Sequence, residues 1–154
     1  MTAPAPRDPD SLDDALRADH ERLDALLSQL NSSLAAGPQA AAAALAPFSQ
    51  GLKRHMAWED ESLFPAVKQV ASTKERRSIE SLEIDHERLR ETLRSLESAL
   101  AAGDVGAAEP LASWLSTLLQ GHNYDEEHGV YVEADRLLDR DERRRLIERF
   151  EGRS

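Results

Sequence analysis

The pentapeptide Asp19-His20-Glu21-Arg22-Leu23 recurs unchanged at residues 85–89, and this repetition decides how the chain is interpreted. The repeat extends well beyond the five residues. At an offset of 66, ADHERLDALLSQLNSSLAAG (18–37) aligns with IDHERLRETLRSLESALAAG (84–103), including the closing Ala-Ala-Gly. Two copies of so long a unit indicate a duplicated helical hairpin rather than a solenoid of stacked repeats.

The segments that follow the two copies agree as well, at an offset of 67. His55 then aligns with His122 and Glu59 with Glu126, while Leu63-Phe64-Pro65 aligns with Val130-Tyr131-Val132. We therefore expect equivalent positions in the two hairpins to behave alike.

Composition and charge narrow the class of protein. The chain has 154 residues, no cysteine and a net charge of −10. Thiolate metal sites and disulfides are excluded, which is consistent with a cytoplasmic protein. The negative charge argues against nucleic-acid binding, and the cluster Arg143-Arg144-Arg145 is interpreted as a solvated helix face. No apolar run approaches the roughly 18 residues of a membrane span. The oligomeric state is not indicated.

Apolar residues recur every three or four positions throughout, which predicts an all-α chain. The first helix is expected from Ser11 to about Ala36, and the second over about 39–70, with Pro65 kinking or fraying its end. The third is expected from Ser72 or Thr73 to Gly103, and the fourth begins at Asp104. A short fifth helix is expected over about 140–151. Their order predicts an up-down-up-down four-helix bundle with a short fifth helix. Residues 1–10 are expected to be a disordered lead. Residues 11–154 are expected to be one domain of two hairpins, 11–70 and 73–139, plus the C-terminal helix.

On each of these helices the apolar residues that recur every three or four positions form one stripe, the seam of the helix, which faces the core. Six polar residues lie on these seams. His20 takes a leucine's place in the first helix, and His86 does so in the third. The second and fourth helices carry the remaining four on their seams, at His55, Glu59, His122 and Glu126.

The four histidines are also expected at one height in the bundle. The midpoint of residues 20 and 55 falls in the Gly37-Pro38 turn, and that of residues 86 and 122 falls at Asp104. Antiparallel helices rise about 1.5 Å per residue, so residues equidistant from a turn lie level with each other.

Buried carboxylates carry a heavy desolvation penalty unless a cation or a proton network compensates it. Imidazole and carboxylate ligands suit iron, manganese or zinc. Two glutamates among four histidines point to two metal ions, each glutamate bridging them and each histidine binding one. The alternative is a metal-free polar network.

Several neighbours of these residues have expected positions. Trp58, Phe64, Trp114 and Tyr131 are expected to pack the core near the site. His128 is expected at the surface or in a lid rather than among the ligands. Asp60, Glu61, Glu127 and the glutamates of the two pentapeptides, Glu21 and Glu87, are interpreted as solvated neighbours.

The pattern His…His-x3-Glu…His…His-x3-Glu resembles the hemerythrin-like, or HHE cation-binding, family. The similarity covers about residues 11–139 and includes HMAWEDESLFPAV (55–67) and HNYDEEHGVYVEADRLLD (122–139). It implies a non-haem di-iron centre that handles O2, peroxide or NO. The implied ligands are His20, His55, Glu59, His86, His122 and Glu126, with the glutamates and an oxo or hydroxo group as bridges.

Two departures place the chain nearer a four-histidine branch of that family. Oxygen carriers have a His-x3-His pair on the third helix, but the positions four residues either side of His86 are Leu82 and Arg90. Carriers also have an aspartate five residues after the fourth-helix histidine, where this chain has Glu126 four residues after it. We expect a protein that binds, senses or buffers O2, NO or peroxide. The alternative is a di-iron peroxidase or NO reductase in oxidative or nitrosative stress defence.

Overall fold

A computed structural model of the chain describes Ala3 and residues 7–152, and within them all regular structure is helical. The elements are α1 (Leu12–Ser33), which ends in a 3-10 turn (Leu34–Ala36), α2 (Pro38–Trp58), a π-helical turn (Glu59–Leu63), α3 (Phe64–Lys68), α4 (Thr73–Ala101), α5 (Val105–Glu127), α6 (Val130–Leu137) and α7 (Arg140–Gly152). Helices α1, α2, α4 and α5 form the bundle, with α1 packed on α2 and α4 on α5. The predicted all-α bundle with a short C-terminal helix is confirmed.

The predicted helix starts and turns carry the expected capping chemistry. Ser11, Ser72 and Asp104 each accept a hydrogen bond from a backbone N–H in the first turn of the helix that follows. The two hairpins turn at Gly37 and Gly103, whose φ values are 107° and 73°. Glycine adopts these positive φ values without the steric penalty of a Cβ, which explains why both copies end in Ala-Ala-Gly.

The second and fourth helices each contain an irregularity that the sequence pattern does not predict. The kink or frayed end predicted at Pro65 lies earlier, in the π-helical turn, and Pro65 follows that turn directly as the second residue of α3. The fourth helix also divides, ending at Glu127 and resuming at Val130 after Gly129. A Cβ on Gly129 would lie 2.8 Å from the carbonyl oxygen of Asp125, so the break requires glycine.

These two irregularities have the same structural effect. Phe64 and Tyr131 each follow a seam glutamate by five residues, and both are completely buried. Residues advance about 100° each around an α-helix, so positions five apart normally face different sides. The π-helical turn in one hairpin and the break in the other bring the later residue back to the interior.

The core consists of two apolar clusters, one on each side of the six polar residues. One cluster lies toward the hairpin turns and includes Leu27, Phe48, Leu93 and Leu115. The other lies toward α6 and α7 and includes Leu16, Phe64, Leu82, Tyr131 and Leu146. Trp58, Phe64 and Tyr131 are buried as predicted. Trp114 is 53% exposed, so its predicted place near the site is wrong. Helix α5 turns Leu115 and Leu119 inward instead.

Helices α6 and α7 are attached to the start of the bundle by charged groups. Asp135 on α6 accepts hydrogen bonds from Ser11 Oγ at 2.6 Å and from the Leu12 backbone N–H at 2.7 Å. Asp10 pairs with Arg144 at 2.7 Å, and its carbonyl accepts from Arg143 at 2.9 Å. The basic cluster, predicted to be solvated, therefore helps hold the chain before α1.

Half of the expected disordered lead, residues 1–2 and 4–6, lies outside the described residues. None of the helices in the described part of the chain carries an apolar stretch long enough to traverse a lipid bilayer.

Candidate metal centre

The six predicted residues meet in the layer between the two apolar clusters, and all are at least 96% buried. His20 comes from α1, His55 from α2, His86 from α4, and His122 and Glu126 from α5; Glu59 begins the π-helical turn. Their ligand atoms form two groups in which every pair lies within 4.8 Å: Glu59, His86, His122 and Glu126 in one, and His20, His55 and Glu126 in the other. Glu126 belongs to both groups.

Each glutamate stands between a histidine of one group and a histidine of the other. Glu126 Oε1 lies 3.2 Å from both His20 Nε2 and His122 Nε2. Glu59 Oε1 lies 3.1 Å from His55 Nε2 and 3.5 Å from His86 Nε2. Two donors bound to one ion at about 2.1 Å are themselves about 3–3.5 Å apart, so these separations match those of metal ligands.

A second set of carboxylates holds the outer nitrogen of every histidine. The donating Nδ1–H of each ring points away from the centre, toward a carboxylate on the next helix around the bundle. This orientation fixes the tautomer and directs Nε2 inward. The pairs are His55 with Asp19 at 2.7 Å, His86 with Asp60 at 2.7 Å, His122 with Asp85 at 3.1 Å and His20 with Glu127 at 3.3 Å.

The sequence interpretation was wrong about two of these carboxylates and missed the other two. The sequence predicts Asp60 and Glu127 to be solvated, yet each orients a histidine. The seam pattern predicts no role for Asp19 or Asp85. The sequence does contain a signal for these four carboxylates. An aspartate precedes the seam histidine in both identical pentapeptides, and an acidic residue follows each seam glutamate. The glutamates of the pentapeptides are exposed, as predicted.

The repeated pentapeptide therefore encodes several contacts at once. Asp19 orients the histidine of the following helix, His20 faces the centre, and Leu23 packs in the core. Arg22 binds Asp19 at 2.8 Å and holds it in place. The aspartate, histidine and leucine of residues 85–89 repeat these roles.

Tyr131, predicted only to pack near the site, places its hydroxyl inside it. The oxygen lies 2.9 Å from His20 Nε2 and Glu59 Oε2, 3.1 Å from Glu126 Oε1 and 3.2 Å from His55 Nε2. The phenol thus adds an oxygen donor to the half of the layer that contains His20 and His55.

The other half has no such hydroxyl. Phe64 occupies the position equivalent to Tyr131 and stacks on His86, with ring centroids 5.5 Å apart and planes inclined by 17°. Phe64 and Tyr131 therefore differ in their contacts with the centre, while the expectation that equivalent ligands of the two hairpins behave alike stays a prediction. This pair of aromatic residues adds to the difference between the two groups, of which one contains both glutamates and the other contains Glu126 alone.

The carboxylates of this layer raise the pKa values of three of its histidines. Burial alone lowers the pKa of His55 and of His122, but their carboxylate neighbours raise both pKa values to about 10. The pKa of His86 is raised too, by Asp60 and Glu59 against the effect of burial. Burial raises the pKa of Glu59, yet the charge of His55 holds it well below its usual range. Without a cation, protons on imidazoles balance the carboxylates, and a bound metal would replace those protons.

The donor set fits a metal ion. Glu59 Oε1 and Glu126 Oε2 are buried and receive no hydrogen bond of acceptable geometry from the described residues. His86 Nε2 and His122 Nε2 face each other at 3.2 Å. Buried carboxylate oxygens without donors are unfavourable unless a cation satisfies them. Nitrogen and oxygen donors without sulfur suit iron, manganese or zinc.

His128 stays outside this layer. It is exposed, stacks on Tyr124 with ring centroids 4.0 Å apart, and donates from Nδ1 to the carbonyl of that tyrosine. Its predicted surface position agrees with the structure.

The fold and the site together define a four-helix bundle with a metal-binding layer in its core. The chain belongs to the hemerythrin family, because residues 11–134 match the hemerythrin HHE cation binding domain. Comparison with curated proteins and with solved structures finds no match for this chain. The family is a cation-binding one, and the buried His/Glu groups of this chain are able to hold a metal ion.

Metal should stabilise the protein more as the pH rises. The pKa values of His55 and His122 rise from an ordinary 6.5 to about 10 in the folded, metal-free state. Their contribution to stability is therefore complete below about pH 6.5 and is lost as the pH rises toward 10. Metal binding needs neutral imidazole, so it strengthens over the same range. Melting temperatures of metal-free and zinc-loaded protein from pH 6 to 9 should diverge. A constant difference would contradict this account.

The outer carboxylates should control metal affinity. Asp19→Asn is expected to weaken zinc binding about 10- to 100-fold, because the amide holds His55 less firmly and no longer raises the basicity of its ring. Glu21→Gln, an exposed change two residues away, is the matched control and should leave affinity unchanged. Competition with a chromophoric chelator measures both constants. Equal affinities for the two variants would contradict the role assigned to Asp19.

Proposed function

We propose that this protein binds two iron ions through His20, His55, Glu59, His86, His122 and Glu126. We propose further that it uses them to bind, sense or buffer O2, NO or peroxide. One observation carries the proposal: the ligand atoms form two adjoining groups that share Glu126. The membership of the chain in a cation-binding family supports it.

The positions of the two buried glutamates support two ions rather than one. Glu59 and Glu126 are both completely buried, and each spans the two groups. As bridging ligands they would place negative charge between two cations, where its electrostatic effect is strongest. The histidines would bind in the neutral form, one ion each, with their outer nitrogens held by carboxylates.

Iron fits the proposed chemistry better than manganese or zinc, although the donor set accepts all three. Bound iron would supply one-electron redox chemistry and coordination positions open to a small ligand. Six donor residues leave such positions on two ions. The apolar clusters on both sides of the layer keep bulk water away and favour small ligands such as O2, NO and H2O2.

Tyr131 favours a second candidate function, that of a peroxidase or NO reductase in stress defence. Burial, together with the charges of Glu126 and Glu59, raises the pKa of Tyr131 well above its usual value. The phenol therefore keeps its proton at neutral pH, within 2.9–3.2 Å of four donors of the centre. Cations bound beside the phenol would lower its pKa toward the working pH, where a general acid is most efficient, and its proton would then be available to a reaction that consumes protons, such as peroxide reduction.

Metal counts on single variants test the proposed ligand set. Glu59→Ala and Glu126→Ala are each expected to lose both ions, because each removes a bridge and buried negative charge. His20→Ala and His86→Ala should keep about one ion, since each removes a ligand of a single ion. Elemental analysis after iron-supplemented expression provides the counts, with Glu21→Ala as the exposed control. A folded wild-type protein without first-row metal would overturn the proposal, whereas two ions in Glu126→Ala would overturn only the bridge.

The two tyrosines of the chain separate the two candidate functions. If the protein is a peroxidase, Tyr131→Phe should lower peroxide turnover about 100-fold while the iron content stays the same, because a general acid typically contributes 10²–10⁴-fold. Tyr124→Phe, at an exposed position, is the matched control. Stopped-flow and steady-state peroxide assays measure the effect. A wild-type protein that binds iron but does not turn over peroxide or NO would leave the binding function as the conclusion.

A further inference from the structure

The two groups of imidazole and carboxylate ligand atoms in the centre are unequal. One group contains four donors, and two of these are carboxylates. The other contains His20, His55 and Glu126, and we call it the three-donor group. Zinc in proteins takes at least four donors, so three residues leave room for a further ligand on an ion bound there.

The hydroxyl of Tyr131 lies at the three-donor group. Its oxygen is 2.9 Å from His20 Nε2, 3.2 Å from His55 Nε2 and 3.1 Å from Glu126 Oε1. Ligand atoms that share an ion at about 2.1 Å are themselves about 3–3.5 Å apart. The oxygen is therefore separated from every member of the group by about the distance expected of a ligand to the same ion. The side chain of Tyr131 is completely buried, which protects this position from bulk water.

A break in the helix brings this oxygen into the centre. Tyr131 follows Glu126 by five residues, and the chain between them leaves the helix at His128 and Gly129. In the other hairpin the equivalent residue is Phe64, whose ring stacks on a histidine of the four-donor group and carries no donor atom. The additional oxygen therefore belongs to one half of the centre only, and that half has fewer other donors.

We propose that the phenolate oxygen of Tyr131 is a seventh metal ligand, bound to the ion of the three-donor group. In the metal-free protein the hydroxyl donates to Glu59 Oε2 at 2.9 Å. On binding, the O–H bond breaks, the proton passes to solvent, and the oxygen bonds to the ion without any change of oxidation state. Bound cations favour such proton loss from a coordinating group, and tyrosine oxygen is an established ligand of iron in proteins.

This inference rests on the proposed function for the ions themselves. It deepens the binding function, because it makes the two ions chemically different. It also excludes the role of the same phenol as a general acid, since a bound phenolate carries no proton to donate.

Zinc tests the assignment without iron. The chain has two tyrosines, and Tyr124 is exposed, so Tyr124→Phe leaves Tyr131 as the only phenol of the full-length protein. Zinc added to this metal-free variant should produce the ultraviolet difference spectrum of one tyrosinate at neutral pH. Tyr131→Phe should produce none and should weaken one of the two zinc sites at least about tenfold in competition with a chromophoric chelator, because loss of even an outer hydrogen-bond partner has that effect. Zinc that binds the Tyr124→Phe protein without a tyrosinate spectrum would overturn the assignment.

Ferric iron distinguishes a phenolate that is bound to the ion from one that only lies beside it. A phenolate bonded to ferric iron gives a visible charge-transfer band, and excitation in that band enhances the ring vibrations of tyrosinate. Iron-loaded Tyr124→Phe should show the band, with vibrations that shift when ring-deuterated tyrosine is incorporated, and Tyr131→Phe should show neither. Bound iron without these signals in Tyr124→Phe would overturn the assignment alone. Wild-type protein in which elemental analysis finds neither zinc nor iron would overturn the proposed function and the assignment together.

Discussion

Burial of six ionisable side chains in one layer is the constraint on which the rest of this structure depends. Two carboxylates and four imidazoles lie between two apolar clusters, where solvent cannot compensate them. Each imidazole is satisfied on its outer side by a carboxylate from the next helix. Three of those carboxylates in turn bind arginines, at Arg22, Arg90 and Arg17. The inward Nε2 atoms and the carboxylate oxygens are satisfied by protons or by a cation.

The duplication builds most of this arrangement from one hairpin used twice. Each copy supplies a histidine and an aspartate from its first helix and a histidine and a glutamate from its second. Each also interrupts its second helix after the glutamate, by a π-helical turn in one copy and by a break at Gly129 in the other. The copies then differ at one aromatic position, Phe64 against Tyr131. That difference gives only one half of the centre a hydroxyl, next to the group that contains a single glutamate.

The capacity to hold a cation and the proposed selectivity for a small ligand would therefore arise from different parts of the molecule. The six inner residues and their outer carboxylates set the charge and direction of the donor atoms, and they belong to the region shared with the family. Access depends on what surrounds that layer. The Tyr131 hydroxyl lies on α6, and contacts of α6 and α7 with residues 10–12 help to fix the position of that helix.

The amino-acid sequence by itself determined the helices, the hairpin duplication and the six inner residues. Apolar periodicity places a residue on one face of its own helix, and equal distance from a turn places residues of neighbouring helices at one height. Asp19 and Asp60 lie off the seam, where the same pattern is equally consistent with solvent. Whether such a carboxylate reaches a histidine depends on the rotation and separation of two helices, which the packing of the whole core sets. The packing of the core also decides that Trp114 is exposed. It likewise decides where the π-helical turn forms and that the Tyr131 hydroxyl lies inside the centre. Only the tertiary structure determines contacts between helices, because local periodicity carries no information about the facing surface.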